Sequence, residues 1–131
     1  MKLKPLDILF SQYIRMRAMA RVGGCERCLT LKCDIQKDNG DIFPDYKQLQ
    51  CSHFIGRRRR SVRWDEDNAV GLCSGCHMHL SSHPLEHTQW FIEHLGEQQV
   101  DLLLARNRSR VKPDEKLLEI YFREKIKGIE K

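Results

Sequence analysis

The cysteines most suited to chemistry fall into two Cys-x-x-Cys pairs. Cys25 and Cys28 form the first pair, and Cys73 and Cys76 form the second. A tight turn brings residues i and i+3 together, so each pair can place two thiolates on one ion and the four complete a tetrahedral zinc shell. Because that shell leaves no open position, the sequence predicts a structural zinc. The alternative is two unrelated redox or buried cysteine pairs.

Two histidines and an asparagine form a second group around the later pair. His53 ends a predicted strand, Asn68 ends a loop, and His77 begins a helix directly after a cysteine of the second pair. Phosphodiester hydrolysis requires a base that deprotonates water, a cation that stabilises developing charge, and a group that orients the base. His53, His77 and Asn68 can fill these three roles.

The segment between Phe54 and Trp64 is rich in arginine and contains no acidic residue. Its arginines are Arg57, Arg58, Arg59, Arg60 and Arg63. Guanidinium groups form strong, often bidentate hydrogen bonds with phosphate oxygens. The formal net charge of +5 also fits a polyanionic partner. The run therefore predicts contacts with DNA phosphates, against the alternative of a solvated charged loop. Trp64 itself is predicted to be a core residue.

Composition limits the fold and the compartment. In a chain of 131 residues, 31% charged and 40% hydrophobic residues leave a thin core for one modest domain. Met1 to Lys4 are followed by no apolar run long enough for a signal peptide or a membrane span. We therefore expect a cytoplasmic protein with reduced cysteines and no membrane partner.

Helical patterns lie on both sides of the cysteine pairs. The predicted ranges are 6–20, 84–95, 97–105 and 114–127, with one or two helical turns at 76–80. Gly23 and Gly24 should end the first helix, and Pro84 should open the second, after Ser82 or His83 as its cap. The buried side of that second helix should contain Leu85, Trp90, Phe91 or alternatively His94, and Leu95.

Two strands are predicted between the cysteine pairs. They cover 31–35 and 49–55, with a turn signal at 38–41, and we expect either a hairpin or a loop-rich segment that imitates one. Residues 69–72 could form another strand. On the hairpin, Cys33 and Cys51 would face each other as small buried residues, unless one of them replaces a zinc ligand.

The order of the chemically active residues resembles that of the HNH nucleases, the ββα-metal finger group. The resemblance rests on His53, Asn68 and the segment Leu72-Cys73-Ser74-Gly75-Cys76-His77. It implies His53 as general base, Asn68 as the residue that holds the loop and orients the base, and His77 as a ligand of a catalytic metal. That metal would be Mg²⁺ or Mn²⁺, with Zn²⁺ or Ni²⁺ as alternatives because the ligand is imidazole.

Residues 6–104 resemble small phage and prophage proteins of this family in particular. In these proteins a helix with an Ile-Arg-x-Arg segment, here at 14–17, precedes the first cysteine pair. Ser52-His53-Phe54 followed by Arg63-Trp64-Asp65-Glu66-Asp67-Asn68 is also similar to the lambdoid recombination nucleases of the Rap (NinG) type.

The resemblance implies an α+β fold and one endonuclease domain over 1–131. Its parts would be an N-terminal helix in 1–24, a zinc-knotted ββα core in 25–83, and about three helices in 84–131. The expected activity is hydrolysis of duplex or branched DNA that leaves a 5′-phosphate and a 3′-hydroxyl.

Ser52 departs from the family pattern. Many HNH proteins have an aspartate or histidine before the base that also binds the metal, and a serine hydroxyl is a poorer ligand. The missing ligand could come from Cys51, His79, Ser81 or His83, or from waters and the substrate phosphate.

The alternatives to a nuclease are a catalytically weak zinc module that binds nucleic acid and an accessory subunit of a phage packaging or recombination machine. A second copy of the chain is a further candidate partner.

Overall fold

A computed structural model describes residues 2–130 and confirms the α+β class. Within these residues the helices are α1 Pro5–Val22, α2 Ser74–Ser82, α3 Pro84–Leu95, α4 Glu97–Ser109 and α5 Glu115–Glu130. The strands are β1 Ile35–Gln36, β2 Ile42–Phe43, β3 Leu49–His53 and β4 Ala69–Cys73. They form two antiparallel sheets of two strands each, β1 with β2 and β3 with β4.

The helix boundaries follow local signals that are visible in the sequence. Pro5 opens α1, and Gly23 ends it in the left-handed conformation at φ 71°, donating its amide to the Met19 carbonyl at 2.9 Å. Pro84 opens α3 and Gly96 follows its last residue, as predicted. Three helices follow α2, which confirms the expected number, although α4 continues to Ser109 instead of ending at 105.

The predicted pairing of 31–35 with 49–55 is wrong. β3 pairs with β4, whereas the turn around Gly40 closes only the two-residue strands β1 and β2. The physical reason is burial, because the first four residues of β4 are all buried and β1 is exposed. Cys51 therefore lies opposite Gly71 of β4, and Cys33 is exposed, so the two cysteines do not face each other.

The core forms where α1 crosses the β3–β4 hairpin and α5 packs on α1. A Cβ atom on Gly71 would lie 2.7 Å from the Cβ of Ala18, so the close approach of α1 to β4 requires glycine at this position. Where α5 packs on α1, the ring of Phe122 contacts those of Phe10 and Tyr13 at centroid distances of 5.2 and 5.5 Å.

The prediction for α3 holds only in part. Phe91 is fully buried, and Trp90 and Leu95 pack against the same cluster. Leu85 is 88% exposed, which contradicts its predicted place on the buried side. It lies in the first turn of the helix, directly after Pro84, where the helix has not yet reached the core.

A buried ion pair joins α1 to the loop that follows β3. The guanidinium of Arg63 donates to both carboxylate oxygens of Asp7, at 2.6 and 3.0 Å, and both side chains are only 7% exposed. The indole of Trp64, a core residue as predicted, donates to the same carboxylate at 3.0 Å. Burial alone would raise the pKa of Asp7, but hydrogen bonds from Arg63, the Lys4 amide and Trp64 lower it below the ordinary value.

We predict that Asp7→Asn lowers the free energy of unfolding by about 3 kcal/mol at pH 7, because Arg63 keeps its charge without a counter-ion in a buried site. Because the pKa of Asp7 is lower in the folded than in the unfolded state, its ionisation stabilises the fold above the unfolded-state pKa. This stabilisation is lost as the pH falls through the folded-state pKa. The difference from wild type, measured by urea unfolding, should therefore shrink as the pH falls below about 4.

Asp101→Asn, at an exposed position of α4, is the control and should leave stability unchanged. Equal stability of Asp7→Asn and Asp101→Asn at pH 7 would contradict the structural role of the pair.

Candidate metal centre and candidate active site

The four paired cysteines converge on one point in the structure. One sulfur from each of Cys25, Cys28, Cys73 and Cys76 lies within 4.8 Å of the others. The sulfurs of Cys28 and Cys73 are 3.8 Å apart. A tetrahedral shell with Zn–S bonds of about 2.3 Å requires sulfurs about 3.8 Å apart, whereas a disulfide requires about 2.05 Å. The cluster could therefore hold a structural metal such as zinc.

Local backbone conformations present the sulfurs. After Cys25 the chain turns back, with Leu29 at φ 61° donating its amide to the Cys25 carbonyl at 2.9 Å. Cys73 ends β4, and its sulfur accepts the amide of Cys76 from the first turn of α2 at 3.4 Å. Each pair thus lies on a tight turn, as the i, i+3 spacing predicts.

Glu26, between the first two cysteines, links their turn to β4. Its side chain is only 1% exposed, and its carboxylate accepts the amide of Gly71 at 2.7 Å. The Glu26 amide in turn donates to the Gly71 carbonyl at 3.0 Å. The sequence does not reveal this residue, because an intervening position of a Cys-x-x-Cys pair carries no signal for a partner on a distant strand.

We predict that Cys28→Ser loses the bound metal and with it much of the stability of the fold, because binding of a structural metal contributes folding free energy. The measurements are metal content of the purified protein and the thermal unfolding temperature with and without chelator.

Cys33→Ser removes an exposed cysteine outside the cluster and should retain both properties. Full metal content and unchanged stability in Cys28→Ser would show that the cluster is not a metal site.

His53 is held as a neutral imidazole with one nitrogen available. Its Nε2 lies 3.1 Å from the carbonyl oxygen of Arg63. A carbonyl can only accept, so Nε2 carries the proton and Nδ1 keeps its lone pair. Burial lowers the pKa of His53 below its ordinary value of 6.5, so the ring is neutral at pH 7. A neutral ring with a free lone pair meets the requirement for a general base.

Asn68 is fully buried and holds the loop that begins after His53. Its Oδ1 accepts the amide of Ile55 at 2.7 Å, and its Nδ2 donates to the carbonyls of Ile55 and Val62 at 2.9 and 3.0 Å. Arg63 follows Val62 in the loop, and its carbonyl is the one that contacts the ring of His53. The side chain of Asn68 therefore lies one residue away from the carbonyl that contacts His53.

We predict that Asn68→Ala destabilises the protein by about 2 kcal/mol, because it leaves the amide and the carbonyl of Ile55 without partners and removes one of the two donors to the Val62 carbonyl. Hydrogen exchange at the Ile55 amide should accelerate more than exchange at amides within α5.

Asn39→Ala is the matched control, because its side chain bonds only to Asp41 in an exposed turn, and it should leave exchange at the Ile55 amide unchanged. Unaltered protection of the Ile55 amide in Asn68→Ala would contradict the bracing role.

His77 lies on α2 beside the residue that precedes His53. Its Nδ1 is 3.2 Å from the hydroxyl oxygen of Ser52, which is buried. Burial, and secondarily the charge of His87, lower the pKa of His77. The hydroxyl can accept from Nδ1, which leaves Nε2 with a lone pair for a metal ion.

His53 and His77 share one cleft between α1 and β3, with a volume of about 600 Å³. Arg15 and Arg57 are among its other lining residues. The cleft thus combines two neutral imidazoles with guanidinium groups that can bind a phosphate.

The residues considered as additional metal ligands lie in different surroundings. Cys51 lines the cleft, but burial raises the pKa of its thiol to about 12, so it is protonated at pH 7. The Ser81 hydroxyl donates to the His77 carbonyl at 2.7 Å. The rings of His79 and His83 stack at the C-terminal end of α2. The His83 side chain donates a hydrogen bond to the His79 carbonyl and does not cap α3.

The arginine run divides into exposed and buried members. Arg58 and Arg59 are exposed, Arg57 lines the cleft, and Arg60 forms an exposed ion pair with Glu115 at 3.1 Å. The predicted DNA contact for Arg63 is wrong, because its guanidinium is buried against a carboxylate.

His87 is a candidate site residue that sequence analysis did not single out. From α3 its Nε2 donates to the carbonyl of His53 at 3.1 Å, which joins this helix to the end of β3. His87 precedes the buried Phe91 by one helical turn, and this i, i+4 spacing was the available signal for an inward-facing position.

Comparison with protein-family models, curated proteins and solved structures finds no match to this chain. In residues 2–130 no helix combines the length and apolar character needed to cross a membrane.

Proposed function

We propose that this chain is a metal-dependent DNA endonuclease of the ββα-metal (HNH) type, built around a structural zinc on its four paired cysteines. The observation that carries the proposal is the shared cleft, in which His53 has a free ring nitrogen and His77 approaches from the following helix. The antiparallel β3–β4 hairpin followed directly by α2 supports it.

In the proposed reaction, Nδ1 of His53 takes a proton from the attacking water. The buried, neutral state of the ring suits this step, and the Arg63 carbonyl stabilises the imidazolium that forms, through the hydrogen bond from Nε2. Asn68 keeps that carbonyl in place. Arg15 and Arg57 bind the phosphate beside the scissile bond.

His77 would hold the catalytic Mg²⁺ or Mn²⁺, with waters and substrate oxygens as the remaining ligands. Such an ion stabilises negative charge on the phosphoryl group and on the leaving oxygen. The donor set fits, since a hydrogen bond from Nδ1 to Ser52 would direct Nε2 of His77 to the metal. Ser52 thus acts as the orienting partner of a ligand and not as a ligand itself.

DNA binding is assigned to the exposed part of the arginine run. Arg58 and Arg59 extend the positive surface away from Arg57 at the cleft. Contacts of this kind bind the backbone without reading sequence, and their strength falls with salt concentration.

A plasmid-nicking assay tests the proposal. The wild-type protein should convert supercoiled plasmid to open circles in Mn²⁺ or Mg²⁺, and His53→Ala should reduce the rate by about 10²- to 10⁴-fold because the base is lost. His94→Ala is the matched control, because it removes a histidine of α3 that does not line the cleft, and it should keep wild-type activity. Wild-type activity in His53→Ala would exclude His53 as the base.

A nucleic-acid-binding module without catalysis is the second candidate, favoured by the serine at position 52 and the exposed arginines. Binding measured against salt tests for DNA contact in both candidates, and cleavage by the wild-type protein separates them. Arg58→Ala should lower the slope of log K against log salt by about one in either case. Retention of that binding by a wild-type protein that cuts no DNA form in any of several metals would establish the module.

A further inference from the structure

Two histidines and a glutamate lie together where α2 meets α3. One ligand atom from each of His79, His83 and Glu86 lies within 4.8 Å of the others. His79 lies in the last turn of α2, His83 directly follows that helix, and Glu86 is in the first turn of α3. The cluster includes neither a zinc-binding cysteine nor a residue that lines the cleft.

The imidazoles are already arranged as a pair. Their rings stack with centroids 4.2 Å apart at 21°. Nδ1 of His83 lies 2.7 Å from the His79 carbonyl, so this nitrogen carries the proton and Nε2 keeps a lone pair at the exposed edge. Nε2 of His79 contacts the carboxylate of Glu86.

This donor set suits a particular class of ion. Two histidines and a glutamate form a known set of protein ligands for zinc. Metal bonds of about 2.0 to 2.2 Å would require the donors to come about 3.4 Å apart, which exposed side chains can reach by small rotations. Imidazole favours Zn²⁺, Co²⁺ and Ni²⁺, whereas Mg²⁺ prefers oxygen ligands.

We propose that His79, His83 and Glu86 form a second divalent-metal site, for a transition ion of the Zn²⁺, Co²⁺ and Ni²⁺ class. Three protein ligands leave the remaining positions to water. A bound ion would connect the last turn of α2 to the first turn of α3, across the break before Pro84. Because His87 of α3 donates to the His53 carbonyl, the ion would also restrict the helix that supports the end of β3.

The test is Ni²⁺ titration of tag-free protein whose cysteine cluster is occupied by zinc. Calorimetry should show a site that raises the thermal unfolding temperature by mass action. His83→Ala and Glu86→Gln should each weaken Ni²⁺ binding at least tenfold, since even the loss of a supporting partner costs about 10- to 100-fold. Glu93→Gln, at an exposed position of α3, should bind as wild type.

Two further measurements locate the ion. His77→Ala should keep this Ni²⁺ affinity, and Ni²⁺ should broaden amide signals first around Leu85, at the helix junction. Loss of binding in His77→Ala, or broadening centred on the cleft, would overturn the proposal, as would wild-type affinity in both His83→Ala and Glu86→Gln. The broadening needs no substitution, so it decides the question even if a variant fails to fold.

Discussion

The buried ion pair between Asp7 and Arg63 determines where α1 lies relative to the loop that follows β3. A charged pair of this kind is costly to break, because either group alone would remain desolvated without a partner. Arg17 adds a second connection from α1, with donors 2.9 and 2.7 Å from the carbonyls of Glu66 and Ala69. Together they set one wall of the cleft. The same Arg63 provides the carbonyl that fixes the ring of His53, so its side chain serves packing while its backbone serves the candidate active site.

The cysteine cluster and the cleft depend on the same strands. β4 enters Cys73, and α2 begins at the next residue and carries both Cys76 and His77. A metal on the cysteines would therefore hold the start of the helix that brings His77 to Ser52. Glu26 strengthens this arrangement from the other side, through its two hydrogen bonds with Gly71. The proposed structural metal and the proposed catalytic metal thus use neighbouring residues of α2, Cys76 and His77, as separate ligands.

Residues with short-range partners were predictable. The i, i+3 spacing of the cysteines, Pro5 and Gly23 at the ends of α1, and Pro84 at the start of α3 each depend on only a few neighbouring residues. The side chain of Asn68 also has its partners within a single loop, at Ile55 and Val62, and its role in orienting the base stays a prediction. The family resemblance and the nuclease activity remain predictions.

Sequence alone was sufficient for the α+β class, most helix boundaries and the cysteine pairs, because these follow from local backbone preferences and donor spacing. Tertiary structure decided which strand pairs with β3, because that choice depends on the apolar area buried beneath α1 and not on the nearest turn signal. It also decided the role of Arg63. The charge of a guanidinium is visible in any sequence, but whether it meets a phosphate or a buried carboxylate depends on which distant residue the fold places beside it, here Asp7.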